Sequence, residues 1–407
     1  MARRLHIAYF TNTYHPMVSG VVRSVSTFRQ ALSELGHNIF IFAQDASDYQ
    51  DSEPFIFRYP TLDLPLPGNF PLAIPISPFV DKLLPLLKLD VIHSHHPFLL
   101  GRTAITKAEE LDLPLVFTFH TRYREYSHYV ALKQEFVKET IDRLLGDYMQ
   151  HCHHIVVPSH SMRQMLADEY GVTEQVSTIP TGIDLEPYRK ADGRAIRAQR
   201  GWGQSKVLIS VGRLAKEKNW ETLLAAAAQV MRKDPTIRLA LIGEGEEGKT
   251  LKELASQLNV ADQVEFIGSI PFAEIPYYLK AADLFVFASV TETQGLVTME
   301  AIAAGLPVVA VDATGTRDVV DHGQQGFLTA NEAEALAQAI EQVIGDEMIL
   351  NRFKEATKTK AQAFDTLRQA EKLLQVYQQA GEDKKANRLI QVDKHKSIFQ
   401  FIIDGLT

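Results

Sequence analysis

The chain reads as an α/β protein built from two doubly wound, Rossmann-like domains. Three observations carry that reading. Short apolar runs of strand length alternate with segments of helical periodicity, which is the pattern of a parallel sheet with helices on both faces. The pattern breaks off over residues 181–204 and then starts again. At 407 residues the chain is also too long for one ordinary core.

In the first half, Leu5 to Phe10 reads as a buried strand and Thr11 to Gly20 as a loop. The loop enters a helix with Val21, Val25, Phe28, Leu32 and Leu35 on one face, ended by Gly36. Asn38 to Ala43, Asp90 to His93, Pro114 to Phe119 and His154 to Pro158 supply four more strands. Proline keeps most of the apolar stretch from Leu62 to Leu89 from being a regular helix; it is either a loop covering the sheet or a segment that dips into a lipid surface. With only Lys82 and Lys88 nearby, it lacks the polybasic signature of anionic-lipid binding.

Residues 1–180 therefore form a first domain, and 181–204, polar and carrying Pro187, Gly193, Gly201 and Gly203, the connection. Residues 205–360 form the second domain, with strands at Lys206 to Val211, Ile237 to Ile242, Gln263 to Ile267, Asp283 to Ala288 and Pro307 to Val311. Leu367, Ala370, Leu374 and Tyr377 then recur at helical spacing within 361–380, and 381–407 is a tail that begins charged and ends apolar. Two such domains facing one another give a cleft lined by the carboxyl ends of both sheets, where a pair of substrates would meet.

Composition narrows the function. A net charge of −8 argues against broad neutralisation of nucleic-acid phosphates. The single cysteine, Cys152, excludes an internal disulfide and a multi-cysteine zinc site, which fits a reducing cytoplasm. The N-terminal apolar run is too short for a signal peptide, and no stretch reaches the roughly 18 apolar residues of a spanning helix. Membrane contact is thus expected to be peripheral.

The chemistry centres on Ser289 to Pro307, S-V-T-E-T-Q-G-L-V-T-M-E-A-I-A-A-G-L-P. A helix starting near Gln294 or Gly295, with Leu296, Met299, Ile302 and Ala303 at helical spacing, is stopped by Gly305 and Pro307. Glu292 lies in the loop after a strand and Glu300 about two turns into the helix, an E-x7-E spacing. Backbone N–H groups near Gly295 and Leu296 can meet an anionic or hydroxyl-rich ligand. Two glutamates at this spacing alone would read as a solvated helix face. The preceding strand, the Gly-Leu opening and the Gly-Leu-Pro close favour a ligand site.

Gly212-Arg213-Leu214-Ala215-Lys216-Glu217-Lys218-Asn219 follows the first strand of the second domain. Arg213 offers a planar fork and Lys218 a compact charge, so the two can clamp a diphosphate and stabilise the charge that builds when it leaves. Gly243-Glu244-Gly245-Glu246-Glu247-Gly248 is a literal G-x-G-x-x-G after a strand, but its three glutamates would repel a pyrophosphate. Gly243 then belongs to a loop beside the nucleotide or to a plain turn. His93, His95 and His96, and likewise His151, His153 and His154, have metal-like spacing without acidic or cysteine partners, so they read as structural and no metal is assigned.

T-E-T-Q-G-L-V-T-M-E-A-I-A-A-G-L-P and G-R-L-x-x-E-K-N resemble the donor site of retaining glycosyltransferases of family 4, and the resemblance runs to about Tyr377. It implies the GT-B fold, with the acceptor in the first domain, the nucleotide sugar in the second and the last helix crossing back to the first. It implies ribose hydroxyls on Glu300, phosphates on Arg213, Lys218 and the helix start at Gly295 and Leu296, and sugar hydroxyls on Glu292. His120, at the close of V-F-T-F, inherits a place over the donor sugar. Gly20 inherits the close approach of backbone to the donor phosphate or the acceptor, with Ser19 where related enzymes often carry a first glycine. H-T-R-Y-R-E-Y-S-H-Y from His120 to Tyr129 looks like the diacylglycerol glucosyltransferases of bacterial membranes, which makes Tyr123, Tyr126 and His128 acceptor-side candidates.

The expected activity is transfer of a hexose, with UDP-glucose as donor, to a lipid such as diacylglycerol, without metal or cofactor. Three other readings stay open: a family 4 enzyme acting on a polysaccharide or soluble acceptor, a sugar-nucleotide epimerase, and a non-catalytic sugar-binding protein.

Overall fold

A computed structural model describes residues 3–46, 49–62, 72–74, 76–124 and 134–392. The chain divides into two compact units, Met1–Gly182 with Thr366–Thr407, and Ile183–Asp365. Each is a parallel α/β sheet with helices on both faces, as the alternation of apolar runs and helical segments leads one to expect.

In the first unit the strands are β1 (His6–Thr11), β2 (Asn38–Gln44), β3 (Ile56–Tyr59), a two-stranded ribbon of β4 (Thr61–Leu62) and β5 (Leu72–Ala73), then β6 (Val91–Ser94), β7 (Leu115–Thr118), β8 (His154–Val157) and β9 (Val176–Thr178). The main sheet has the order β3-β2-β1-β6-β7-β8-β9, every pair parallel. Along β1 successive side chains enter opposite cores. Ala8 and Phe10 pack with Phe42, Phe117 and Ile155, whereas Ile7 and Tyr9 pack with Val25, Phe28, Leu32, Leu373 and Tyr377. Being buried on both faces is why β1 reads as an unbroken apolar run.

The second unit holds β10 (Val207–Val211), β11 (Arg238–Ile242), β12 (Val264–Gly268), β13 (Leu284–Phe287), β14 (Val308–Val311) and β15 (Gly326–Thr329) in the order β12-β11-β10-β13-β14-β15, again all parallel. Leu208 enters a core with Leu223, Leu241, Val286 and Ile340. Val207 and Ile209 enter the opposite one with Trp202, Phe285, Met299 and Ile302.

Two expected boundaries shift. The stretch 183–204, expected as a connection, is packed onto the second unit. Ile183, Leu185, Tyr188 and Trp202 are core residues there, and Trp202 Nε1 donates to Glu265 Oε2 at 3.0 Å. Its polar composition is the outer side of two short helices, Glu186–Lys190 and Arg194–Gln199, with Pro187 in the first turn of one and Gly201 and Gly203 at positive φ after the other. At the far end Ala361 and Phe364 still belong to the second unit's core, and the helix Thr366–Lys385 belongs to the first unit. That helix carries the charged start of the expected tail as its last turn. Beyond it Ile390 is buried in the first unit's core, while 393–407 lies outside the described residues.

Leu373 is 1% exposed at the centre of the face that this helix presents to the core, whereas Glu371 is exposed. Leu373→Ala should lower stability by about 3 kcal/mol in denaturant unfolding followed by circular dichroism. Glu371→Ala should stay within about 0.5 kcal/mol of the parent.

Candidate functional site

In the second sheet the strand order reverses between β10 and β13, so the loops leaving these two neighbours splay apart and leave a crevice at their carboxyl ends. The loop after β10 makes one 3-10 turn, Lys216–Lys218, and ends at Asn219 in the left-handed region. The Asn219 side chain ties this loop to the end of β13 by donating to Ala288 O at 3.1 Å and to Asn331 Oδ1 at 2.7 Å. Trp220 Nε1 holds the loop from beneath through Arg213 O at 2.9 Å. So braced, Lys218 Nζ donates to Glu292 Oε1 at 2.5 Å. Both side chains are largely shielded, at 23% and 14% exposure, whereas Arg213 is 54% exposed and pairs with Glu217.

Glu292 is positioned by a turn pressed against a second turn. Gly315, at φ 78°, lies so close that a Cβ there would come within 2.9 Å of Glu292 Cβ and of its carbonyl oxygen. Gly295, also at positive φ, opens the helix Leu296–Ala303 beside Gly315 and Thr316. Glu300 follows about 6 Å along that helix axis and is 2% exposed. Gly315 and Thr316 were not singled out from sequence, although A-T-G-T-R directly after β14 is a turn signal at the carboxyl end of a strand.

The G-x-G-x-x-G segment proves to be a packing device. A Cβ on Gly243 would sit 1.9 Å from Gly212 O, and Leu214 N donates to Glu244 O while Glu247 N donates to Leu214 O, both at 2.9 Å. Its glycines let this loop lie directly on the Arg213 loop.

In the first unit the reversal falls between β1 and β6. Ser19 caps the helix Gly20–Glu34 by accepting from Val22 N at 3.2 Å, which gives the serine a structural purpose, and Gly20 is exposed as the helix's first residue. His96, at the end of β6, accepts from Asn12 N through Nδ1 at 3.1 Å and so ties the loop after β1 to it.

His93, His95 and His120 form a connected array, the first two fully buried. His93 contacts Tyr377 OH through Nδ1 at 2.8 Å and Thr118 Oγ1 through Nε2 at 2.7 Å, and Tyr377 OH meets Tyr9 OH at 2.9 Å. His95 stacks on His93 with centroids 4.4 Å apart, and its Nδ1 lies 3.0 Å from His120 Nε2. Burial holds these rings neutral: the His93 imidazole is pushed down to about 3 and that of His96 to about 4. His95 and His120 lie well below the ordinary range through burial first and neighbouring histidines second. Among the described residues no cluster of histidine, cysteine and carboxylate is arranged to hold a metal.

Tyr123 packs its ring edge-on against Phe98 and Phe119 and lines a recess of about 200 Å³ with Arg122, Arg124, Lys138 and Tyr170. Tyr126 and His128 lie outside the described residues.

Family models match both halves of the chain: Glycosyltransferase Family 4 over residues 18–187, and Glycosyl transferases group 1 over residues 192–360. The alpha-monoglucosyldiacylglycerol synthase of Streptococcus pneumoniae is 32% identical over 361 residues, covering 84% of this chain and 78% of its own. The chain belongs to the GT-B glycosyltransferases of family 4. A synthase of the same name from Acholeplasma laidlawii is 31% identical to this glycosyltransferase, covering 81% of this chain and 86% of its own. The crystal structure of Anabaena HepE in complex with UDP and glucose superposes with a TM-score of 0.73 at 21% identity, covering 92% of this chain and all of that one, which shows the fold.

The neutral histidines give the first unit a pH signature. Below about pH 6.5 the unfolded chain takes up protons that folded His93 and His96 refuse, so stability is complete above that pH and falls as pH drops toward 4. Hydrogen-exchange protection of the β6 and β7 amides should be lower at pH 5 than at pH 7.5 after correction for intrinsic rates. His96→Asn, which keeps an acceptor for Asn12, should reduce this dependence by about 1.4 kcal/mol per pH unit.

Proposed function

We propose that this glycosyltransferase moves glucose from UDP-glucose to diacylglycerol at a membrane surface, with retention of anomeric configuration. The observation that carries the reading is the Lys218–Glu292 contact at the strand-order reversal of the second sheet, with Arg213 on the same loop and Glu300 on the helix that follows. In this assignment Arg213 and Lys218 take the diphosphate and Glu300 the ribose hydroxyls. A diphosphate competes with Glu292 for Lys218, which turns the Glu292 carboxylate toward hydroxyls of the transferred sugar. By the family resemblance, His120 is assigned to the transferred sugar and Tyr123 to the acceptor. The bond from the sugar's anomeric carbon to the phosphate oxygen breaks as the bond to the acceptor oxygen forms on the same face. The acceptor's proton passes to the departing phosphate, whose charge the two cations stabilise.

The lipid acceptor is supported by the names of the two synthases and by the first unit's surface. Ile76, Phe79 and Leu86 are 66%, 66% and 75% exposed on and beside the short helices Pro78–Leu83 and Leu84–Leu87. Isolated exposed apolar residues are ordinary, but three in so short a stretch give a place to enter the headgroup layer. No described helix is long and apolar enough to cross a membrane. With these exposed side chains as its point of contact, the enzyme is assigned to the cytoplasmic membrane surface as a peripheral protein.

With diacylglycerol vesicles and labelled UDP-glucose, GDP-mannose or UDP-galactose, label should enter the lipid phase from UDP-glucose alone, in an α-linkage. Transfer only to soluble or polysaccharide acceptors would replace the lipid assignment. Glu300→Ala and Lys218→Ala should each weaken UDP binding by roughly 1.5 to 3 kcal/mol in calorimetry. Unchanged affinity in both would remove the nucleotide site from this crevice.

A further inference from the structure

A neutral imidazole carries its proton on one of two nitrogens, and that choice decides which edge of the ring donates and which accepts. His120 and His95 share a single contact, Nε2 of the first to Nδ1 of the second at 3.0 Å, so one ring donates and the other accepts. The environment of His95 decides between the two arrangements. Its ring is 1% exposed, stacked on His93, tilted 24° from the His120 ring that it meets edge to edge, and edge-on to Tyr9. His93 cannot rotate away, because both of its nitrogens are engaged, one by Thr118 and one by Tyr377. The remaining nitrogen of His95, Nε2, is buried with no hydrogen-bond partner among the described residues.

If His95 accepted at Nδ1, its own proton would sit on that Nε2 as a buried donor with nothing to receive it. If His95 donates from Nδ1, Nε2 keeps only a lone pair, and buried donors without partners are rarer than under-used acceptors. We infer that His95 is a positioning residue for His120: its Nδ1–H donates to His120 Nε2, which leaves the His120 proton on Nδ1 and makes that edge of the ring a hydrogen-bond donor. Resting on the reading of His120 as a contact of the transferred sugar, the inference assigns His120 to donate to a sugar oxygen and not to accept from a sugar hydroxyl. The consequence for specificity is that a donor sugar must present an acceptor oxygen to that edge.

The inference is tested on the full-length protein labelled with nitrogen-15 histidine. Long-range proton–nitrogen correlation spectra give the tautomer of each ring, with His120 assigned by the signals lost in His120→Gln. The expected result is a proton on Nδ1 in both His120 and His95. His95→Asn places an amide N–H where Nδ1–H was and should keep the His120 tautomer, with turnover of UDP-glucose within about threefold of the parent. His95→Leu fills the space without the donor, and should release His120 to a mixture of tautomers while turnover falls roughly tenfold. Binding of UDP, which lacks the sugar, should be unchanged in both.

A proton on Nε2 of either ring in the parent protein, such as a His95 N–H aimed at the Tyr9 ring, overturns the inference. So does a His95→Leu protein whose His120 keeps the Nδ1 proton, or equal loss of turnover in both variants. The spectrum of the parent decides the tautomer even if neither variant folds. It also does so if UDP-glucose proves not to be the donor, so failure of the sugar reading is told apart from failure of the tautomer.

Discussion

Lys218 and Glu292 stand 74 residues apart in the chain and 2.5 Å apart in space, and one constraint makes this possible. In an all-parallel sheet every strand points the same way, so every loop that follows a strand emerges at one end. Where the order reverses between β10 and β13, two such loops have no crossover helix between them and can touch. The ammonium and carboxylate are mostly shielded from water, so their attraction is screened less than that of an exposed pair. The braces around them are short and specific: Asn219 to Ala288 and Asn331, Trp220 to the Arg213 carbonyl, and Gly315 against Glu292. These fix the loop backbones, and the cationic and acidic side chains inherit their positions.

The first unit applies the same topology to different chemistry. Its reversal lies between β1 and β6, and β6 ends in histidines instead of opening a charged loop. Burial strips these rings of charge, so their mutual contacts are hydrogen bonds between neutral groups where the second unit's crevice holds an ion pair. A direction is transmitted by contact: Thr118 and Tyr377 hold His93, His93 stacks on His95, and His95 meets His120.

Much of this was legible in the sequence, and the exceptions have physical causes. Central strands such as β1, β10 and β13 are buried on both faces and announce themselves as apolar runs. The strands β3, β9 and β15 escaped notice because they lie at sheet edges, half exposed and three or four residues long. The stretch 183–204 looked like a linker because its helices are too short to show periodicity, and only a few residues, Ile183, Leu185, Tyr188 and Trp202 among them, turn inward. The E-x7-E spacing and the Arg213 loop could be read because each is local. The His95–His120 contact could not, since it joins residues just past the ends of separate strands, and metal-like spacing drew attention to His93, His95 and His96 as a set of their own. Gly315 was passed over for a similar reason: its value lies in what it touches, not in its neighbours along the chain.

The helix Thr366–Lys385 has an implication for biosynthesis. Ala370, Leu373, Val376 and Tyr377 complete a core begun by Ile7, Tyr9, Val25 and Phe28, so this unit is finished only after the whole of Ile183–Asp365 has been made. A chain emerging from the ribosome can close its middle domain while the amino-terminal sheet still waits with one flank uncovered. Tyr377 also holds the ring of His93, so a nascent chain gains that contact only once residue 377 has emerged. A polypeptide cut before Thr366 would thus lack the Tyr377 contact that holds the His93 ring.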